Sequence, residues 1–94
     1  MIRTLLLAGA LFAALPHAAQ ASTLYTVYGV SDDDMLKMRA GPGIGFNVIV
    51  GLPNGADIRV YSCERTGATV WCHVALNRAP GLKGYVSQAY IRQK

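Results

Sequence analysis

The sequence predicts an all-β fold, a small barrel of five to six short antiparallel strands, and three observations support this. Apolar and polar residues alternate in several short segments, which is the period-2 pattern of half-buried strands. Turn residues separate these segments at short intervals, with 10 glycines and 4 prolines among 94 residues. No segment keeps helical apolar spacing over two turns. Closure into a barrel is favoured because it removes exposed sheet edges.

Residues 1–21 have the features of a cleaved signal peptide rather than of the fold. Arg3 supplies a positive start, residues 5–15 form an apolar run, and residues 19–21 have a small-x-small cleavage pattern. The apolar run would span about 16 Å as a helix, roughly half a bilayer core, which disfavours the alternative of a retained anchor. The residue after the cut is not cysteine, which disfavours a lipoprotein. We therefore expect a periplasmic or secreted protein of residues 22–94, without stable membrane insertion after cleavage.

The mature chain is long enough for one small domain with a thin core. We expect residues 22–34 to form an initial strand and a polar turn, and residues 35–94 to form the barrel domain. Within the first part, residues 24–30 alternate Tyr and Val with Thr and Gly, as a strand does. The three aspartates that follow lack the ligand spacing of calcium loops and indicate a solvated turn.

A glycine-rich loop between two apolar segments predicts the next hairpin. Residues 35–39 alternate apolar and basic side chains, and residues 48–52 are apolar. Residues 40–47 hold three glycines and a proline and must form a loop. We expect Gly41 and Gly43 to adopt backbone angles that a Cβ forbids, so that the loop folds back over the barrel.

The second half of the chain predicts a further hairpin and two short closing strands. After an Asn-Gly turn, residues 57–63 and 70–76 are expected to pair, with residues 64–69 as the hairpin tip. Residues 77–83 contain a Pro-Gly pair and are expected to form a second loop. The segments 84–87 and 90–92 then close the chain, with a single 3₁₀ turn at residues 87–89.

The two cysteines, Cys63 and Cys72, are expected to form a disulfide after export to an oxidising compartment. Closing a loop of about ten residues contributes roughly 2.5–3 kcal/mol in the chain-entropy model. A redox pair is disfavoured because such motifs place two residues between the cysteines. A metal site is disfavoured because it would need more ligands than two thiols and His73.

If the two cysteines pair, the side chains of the two strands cannot all face the sides of the sheet that their polarity requires. This mismatch predicts a β-bulge. If the cysteines face each other across a hairpin, simple register also pairs Tyr61 with Val74. Ile58 and Val60 then cannot share the core face with Val74, because alternate residues point to opposite faces. A β-bulge near Ser62 would reset the parity of one strand.

The order of these segments resembles the bacterial SH3 domain family, SH3b, over about residues 35–91. The family has a first pattern, Leu-x-Val-Arg-x-Gly-Pro-Gly, followed by an aromatic residue and then by Val-Ile-x-x-Leu-Pro-x-Gly. The corresponding residues here are Leu36, Met38, Arg39, Gly41, Pro42, Gly43, Phe46, Val48, Ile49, Leu52, Pro53 and Gly55. The later pattern Trp-x-x-Val, Gly-Trp-Val and Tyr-Leu falls on Trp71, Val74, Gly84, Tyr85, Val86, Tyr90 and Ile91. Met38, Tyr85 and Ile91 are mild departures from Val, Trp and Leu. The resemblance implies an SH3-like barrel that acts as a binding module.

The resemblance also implies a ligand groove flanked by Phe46 and by the residues near Tyr85 and Tyr90. Aromatic-lined grooves suit extended peptides, because rings offer flat contact area at low entropy cost. The alternative is that these rings pack the barrel and its rim. Arg39 has two interpretations as well, hydrogen bonds to loop carbonyls or a clamp for a ligand carboxylate. The candidate groove residues are Arg39, Phe46, Asn47, Trp71, Tyr85 and Tyr90.

Catalysis, cofactors and nucleic acid are not predicted. His73 is the one histidine of the mature chain, and neither Ser62 nor Ser87 forms a recognisable triad with it and Asp57. No residue pattern indicates a metal or an organic cofactor. Removal of Arg3 with the leader lowers the net charge from +4 to +3, and the remaining basic residues are scattered rather than clustered for a phosphate backbone. This charge is compatible with simple solubility or with anionic partners.

The sequence therefore predicts an exported, non-catalytic SH3-like binding module. Its expected ligand is peptide-like, such as a peptidoglycan stem peptide of the cell wall, or a segment of an envelope protein. An alternative is a docking or inhibitory subunit for a periplasmic partner protein. Alanine at Phe46, Tyr85 or Tyr90 is expected to weaken binding without unfolding the domain.

Overall fold

The computed structural model of the protein describes residues 21–94, so the predicted signal peptide, apart from Ala21, lies outside the described residues. These residues form seven strands and one short 3₁₀ helix. In chain order the elements are β1 Thr23–Val27, β2 Leu36–Arg39, β3 Val48–Leu52, β4 Asp57–Thr66, β5 Thr69–Leu76, β6 Ala79–Ser87, the 3₁₀ helix Gln88–Tyr90 and β7 Ile91–Gln93.

All neighbouring strands pair antiparallel in one sheet of order β3-β2-β6-β5-β4-β1-β7, and this sheet curls into a half-barrel. The predicted all-β, SH3-like class is confirmed. The described residues form seven strands rather than the five or six expected, and the two expected closing segments, residues 84–87 and 90–92, correspond to the end of β6 and to β7. β7 pairs with β1 at one edge of the sheet. Within residues 21–94, no helix is long and apolar enough to span a membrane.

The core fills the concave side of the sheet. The residues whose side chains are almost fully buried are Met38, Ile58, Val27, Val74, Val86 and Cys72. In β2 the burial alternates, with Leu36 and Met38 buried while Lys37 is exposed. The period-2 pattern seen in the sequence therefore places the apolar half of each strand in the core.

The β4–β5 hairpin carries both the disulfide and the predicted bulge. Cys63 and Cys72 are bonded and lie opposite each other, with their Cα atoms 4.0 Å apart. The register shifts between Val60 and Ser62, so Tyr61 has no cross-strand partner. Val60 then lies opposite Val74, and both are buried. The parity conflict is resolved as predicted, by one extra residue in β4.

Two predicted loops are much shorter than expected. The hairpin tip was expected over residues 64–69, but only the two residues between Thr66 and Thr69 form the turn. The first of these, Gly67, has a φ of 67°, an angle that glycine adopts at little cost and that suits a two-residue hairpin. The strands can therefore continue to the very end of the hairpin.

The expected loop over residues 77–83 is likewise wrong in extent, since β6 already begins at Ala79. Pairing with β5 is interrupted there, because Ala75 lies opposite Lys83 while Leu76 lies opposite Ala79. Residues 80–82, including Pro80, fall in this interruption. Proline lacks an N–H, and a bulge is one of the few places in a sheet where that costs no ladder hydrogen bond.

Candidate functional site

A groove of about 370 Å³ lies on the surface between the β1–β2 connection, the β2–β3 loop and the 3₁₀ helix. Its lining combines aromatic, aliphatic and charged side chains. Among the residues of this lining are Met35, Arg39, Ile44, Trp71, Ser87 and Tyr90. The volume is within the range of sites that hold a small ligand or part of a peptide.

One wall of the groove is the β1–β2 connection, and Asn54 holds that wall in place. The Val30 amide donates to Asn54 Oδ1 at 3.0 Å, and Asn54 Nδ2 donates to the Val30 carbonyl at 2.7 Å. The side-chain amide thus satisfies both backbone groups of Val30, as a neighbouring strand would. Gly55, which follows, has a φ of 89°, in agreement with the predicted Asn-Gly turn.

The opposite wall is the β2–β3 loop, and Arg39 holds it. Arg39 Nη1 donates to the Ile44 carbonyl at 3.1 Å and to the Phe46 carbonyl at 3.0 Å. The sequence left two interpretations of Arg39 open, and these bonds correspond to the first of them, hydrogen bonds to loop carbonyls. The backbone adds a bond from the Ala40 amide to the Asn47 carbonyl at 2.9 Å.

The glycines of this loop are not explained by the unusual backbone angles that the sequence led us to expect. Neither Gly41 nor Gly43 has a positive φ, so the expectation of angles forbidden to a Cβ is wrong. Instead, a Cβ built on Gly41 would stand 2.4 Å from Phe46 Cδ1. Gly41 therefore leaves room for the Phe46 ring, which packs directly on its Cα.

The floor of the groove includes Trp71, which is only 6% exposed. In β5 it lies one residue before the fully buried Cys72, and Cys72 belongs to the core cluster while Trp71 does not. Because alternate residues face opposite sides of a strand, Trp71 is directed away from the core. Across the groove, Tyr90 of the 3₁₀ helix is 43% exposed, which leaves much of its ring accessible.

The charges in the groove leave one net positive charge. The charged residues of its lining are Asp34, Lys37 and Arg39. Lys37 Nζ lies 3.9 Å from Asp34 Oδ1, so these two charges largely offset each other. Both side chains are well exposed, and such a pair contributes little to stability. The guanidinium of Arg39 supplies the remaining charge.

A second aromatic group crosses the outer face of the sheet, beside the groove. The His73 ring stacks on the Tyr85 ring with centroids 4.8 Å apart, and lies 5.4 Å from the Tyr61 ring. Lys83 Nζ lies 5.4 Å from the centroid of the Tyr61 ring. These rings face one another across β4, β5 and β6, so they stabilise the sheet as cross-strand pairs do.

The structure brings together three of the six predicted groove residues, Arg39, Trp71 and Tyr90. The other three do not line this groove: the Phe46 ring packs on Gly41, Asn47 bonds within the loop through its carbonyl, and Tyr85 stacks on His73.

The groove also includes Met35, Ile44 and Ser87, which the sequence analysis missed. Ile44 stands between two glycines, and a lone aliphatic residue in a glycine-rich loop is the signal that could have identified it. Within residues 21–94, no group of three or more His, Cys, Asp or Glu is placed to hold a metal ion.

Comparison with known proteins agrees with this architecture. The family model described as Bacterial SH3 domain matches residues 34–92. The chain is similar to "Uncharacterized protein YraI" of Bacillus subtilis (strain 168), with 32% identity over 84 residues, which covers 78% of this chain and 69% of that protein. No solved structure was found to match the chain.

Proposed function

Because the chain belongs to the bacterial SH3 domain family, a family of binding modules, we propose that it is an exported, non-catalytic module that binds a peptide-like ligand of the cell envelope. The proposed ligand is a peptide that bears carboxylates, such as a peptidoglycan stem peptide. The proposed organisation is a leader over residues 1–21, an initial strand and turn over residues 22–34, and the barrel over residues 35–94. Its proposed location is the periplasm or the extracellular space.

The groove between Arg39, Trp71 and Tyr90 carries this proposal. Aromatic walls suit an extended peptide, because a ring supplies contact area with few rotatable bonds. The net positive charge of the lining favours a ligand that carries a carboxylate. The Cys63–Cys72 disulfide supports export, because disulfides persist in oxidising compartments.

Sedimentation with insoluble peptidoglycan tests the proposal. The oxidised mature protein, residues 22–94, is mixed with purified wall material at low and at moderate salt, and the bound fraction is measured. We expect binding that survives moderate salt, because aromatic contacts are not screened as charges are. Soluble stem peptide should compete with the wall for the protein.

A matched pair of tyrosine variants locates the binding surface. Tyr90→Ala should weaken wall binding about tenfold, the effect of losing an aromatic contact worth roughly 1.4 kcal/mol. Tyr28→Ala is the control, because Tyr28 is 39% exposed, close to the 43% of Tyr90, yet does not line the groove. Equal losses in the two variants would contradict the placement of the site. Absence of binding by the unaltered protein would reject the wall ligand and favour a protein partner.

A further inference from the structure

The β2–β3 loop presents its most exposed apolar side chain to the groove without support from its own backbone. Ile44 is 82% exposed although it lines the groove. The hydrogen bonds within the loop join Ala40 to Asn47, Gly43 to Gly41 and Phe46 to Gly43. None of these three bonds includes a backbone group of Ile44. Its neighbour Gly45 adds no side chain, and a Cβ there would meet nothing within 4 Å.

Arg39 provides the support that the loop backbone lacks. Its main chain is held in the middle of the sheet, opposite Val48 of β3 and Tyr85 of β6. Its guanidinium bonds the carbonyls of Ile44 and Phe46, on both sides of Gly45. A strand position is therefore linked directly to the part of the loop that has no backbone hydrogen bonds of its own. Because a carbonyl carries no charge, these bonds fix geometry rather than neutralise Arg39.

We propose that Arg39 is a positioning residue, which holds Ile44 over the groove so that Ile44, rather than the guanidinium, contacts the ligand. The inference rests on the proposed function and deepens it. A ligand that gains affinity from Ile44 must present an apolar side chain to it, since only apolar surface is buried by that contact. The ligand class is thus a peptide with an apolar residue opposite Ile44.

A double-mutant cycle separates positioning from direct contact. Ile44→Ala should weaken binding to insoluble peptidoglycan about fivefold, corresponding to the loss of part of an aliphatic side chain. Arg39→Met should weaken it to a similar extent at moderate salt, which screens the attraction between the guanidinium charge and the ligand. If Arg39 acts through Ile44, the double variant should also lose only about fivefold, rather than the roughly 25-fold of two independent contacts. Additive losses would overturn the proposal.

Lys37→Met is the matched control for charge, because Lys37 also lines the groove and lies on the same face of β2. It should change the salt dependence of binding, but it should combine additively with Ile44→Ala. Melting temperatures of all variants are measured alongside. If Arg39→Met does not fold, Arg39→Gln takes its place in the cycle.

Amide hydrogen exchange of the free protein decides the inference independently of the ligand. Removing the Arg39 side chain should speed exchange several-fold at Phe46, whose amide donates to the Gly43 carbonyl, while leaving the strands protected. Unchanged exchange there would overturn the inference even if wall binding is observed. Faster exchange without any wall binding would instead reject the proposed function and leave the link between Arg39 and the loop established.

Discussion

Two hairpins of this protein, β2–β3 and β4–β5, are built alike but are held together in different ways. Each has one bulge, at Ile49 in the β2–β3 hairpin and at Tyr61 in the β4–β5 hairpin. The β4–β5 hairpin turns in two residues and is closed by a disulfide. The β2–β3 hairpin crosses an eight-residue loop and is held by the Arg39 bonds and by the Phe46 ring on Gly41.

This difference separates a hairpin that supports the sheet from the hairpin that lines the proposed binding groove. A longer loop costs more conformational entropy to order, and only weak contacts oppose that cost in the β2–β3 hairpin. No charged residue occurs from residue 40 to residue 56, so ion pairs do not help to order this region. The disulfide-closed β4–β5 hairpin supports the sheet, while the β2–β3 hairpin, which is held by weaker contacts, forms a wall of the groove. Strand β6 lies between the two hairpins in the sheet and joins them.

The largest expected effect on stability is at Gly84 in β6, the strand that joins the two hairpins. Gly84→Ala should destabilise the domain by about 3 kcal/mol or more, since a buried methyl group would overpack the site. Its Cβ would stand 2.5 Å from Met38 Cγ and 2.8 Å from the Arg39 carbonyl oxygen. Urea unfolding measures the change. Gly81→Ala is the control in the same strand, because nothing lies within 4 Å of its Cβ. Equal stability of the two variants would contradict the close approach of β6 to β2.

The second largest effect on stability concerns the disulfide that closes the β4–β5 hairpin. Replacing both Cys63 and Cys72 by alanine should lower the free energy of unfolding by about 2.5–3 kcal/mol, because the unfolded chain regains the entropy of the open loop. Thermal unfolding with and without reductant checks this. Reductant should destabilise the unaltered protein and leave the double variant unchanged. A double variant as stable as the parent would show that the hairpin does not need its disulfide.

The smallest effect on stability concerns the packing of the Phe46 ring on Gly41 in the β2–β3 loop. Gly41→Ala should cost about 1 kcal/mol, because the Phe46 ring must leave its place on Gly41 but can move into solvent. Phe46 is already 48% exposed. Gly45→Ala, in the same loop and with open space around its Cβ, should leave stability almost unchanged. Urea unfolding compares the two, and a larger cost at Gly45 would mean that the loop is held in another way.

Local sequence pattern was sufficient for most of the fold. Alternation predicted the strands, and β3 was predicted with its observed bounds. The bulge in β4 followed from parity alone, because only one extra residue lets a Cys63–Cys72 pair coexist with a buried Val60. The limits of the loops were harder to predict. Pro80 suggested a loop over residues 77–83, but an interruption in pairing with β5 accommodates proline within a strand.

The groove was less predictable than the strands. Trp71 and Tyr90 were expected there and line it, whereas Phe46 and Tyr85 have rings occupied by Gly41 and His73. Whether a ring packs on a neighbour or lines a groove depends on which residues the curled sheet places beside it. His73 lies twelve residues before Tyr85 in the sequence, and Gly41 comes under the Phe46 ring only through the path of the loop. A list of aromatic residues therefore identifies candidate groove residues but does not show which of them line the groove.

The sequence alone determined the fold class, the disulfide, the bulge and the family, because each follows from spacing along the chain or from the parity of a strand. The tertiary structure decided that Trp71 lines a groove, that the Phe46 ring packs on Gly41 and that Ile44 lines the same groove. These properties depend on close approaches between segments that only the curled sheet brings together. A contact such as Arg39 to the Ile44 carbonyl is set by the path of the loop in space, and residue order does not specify that path.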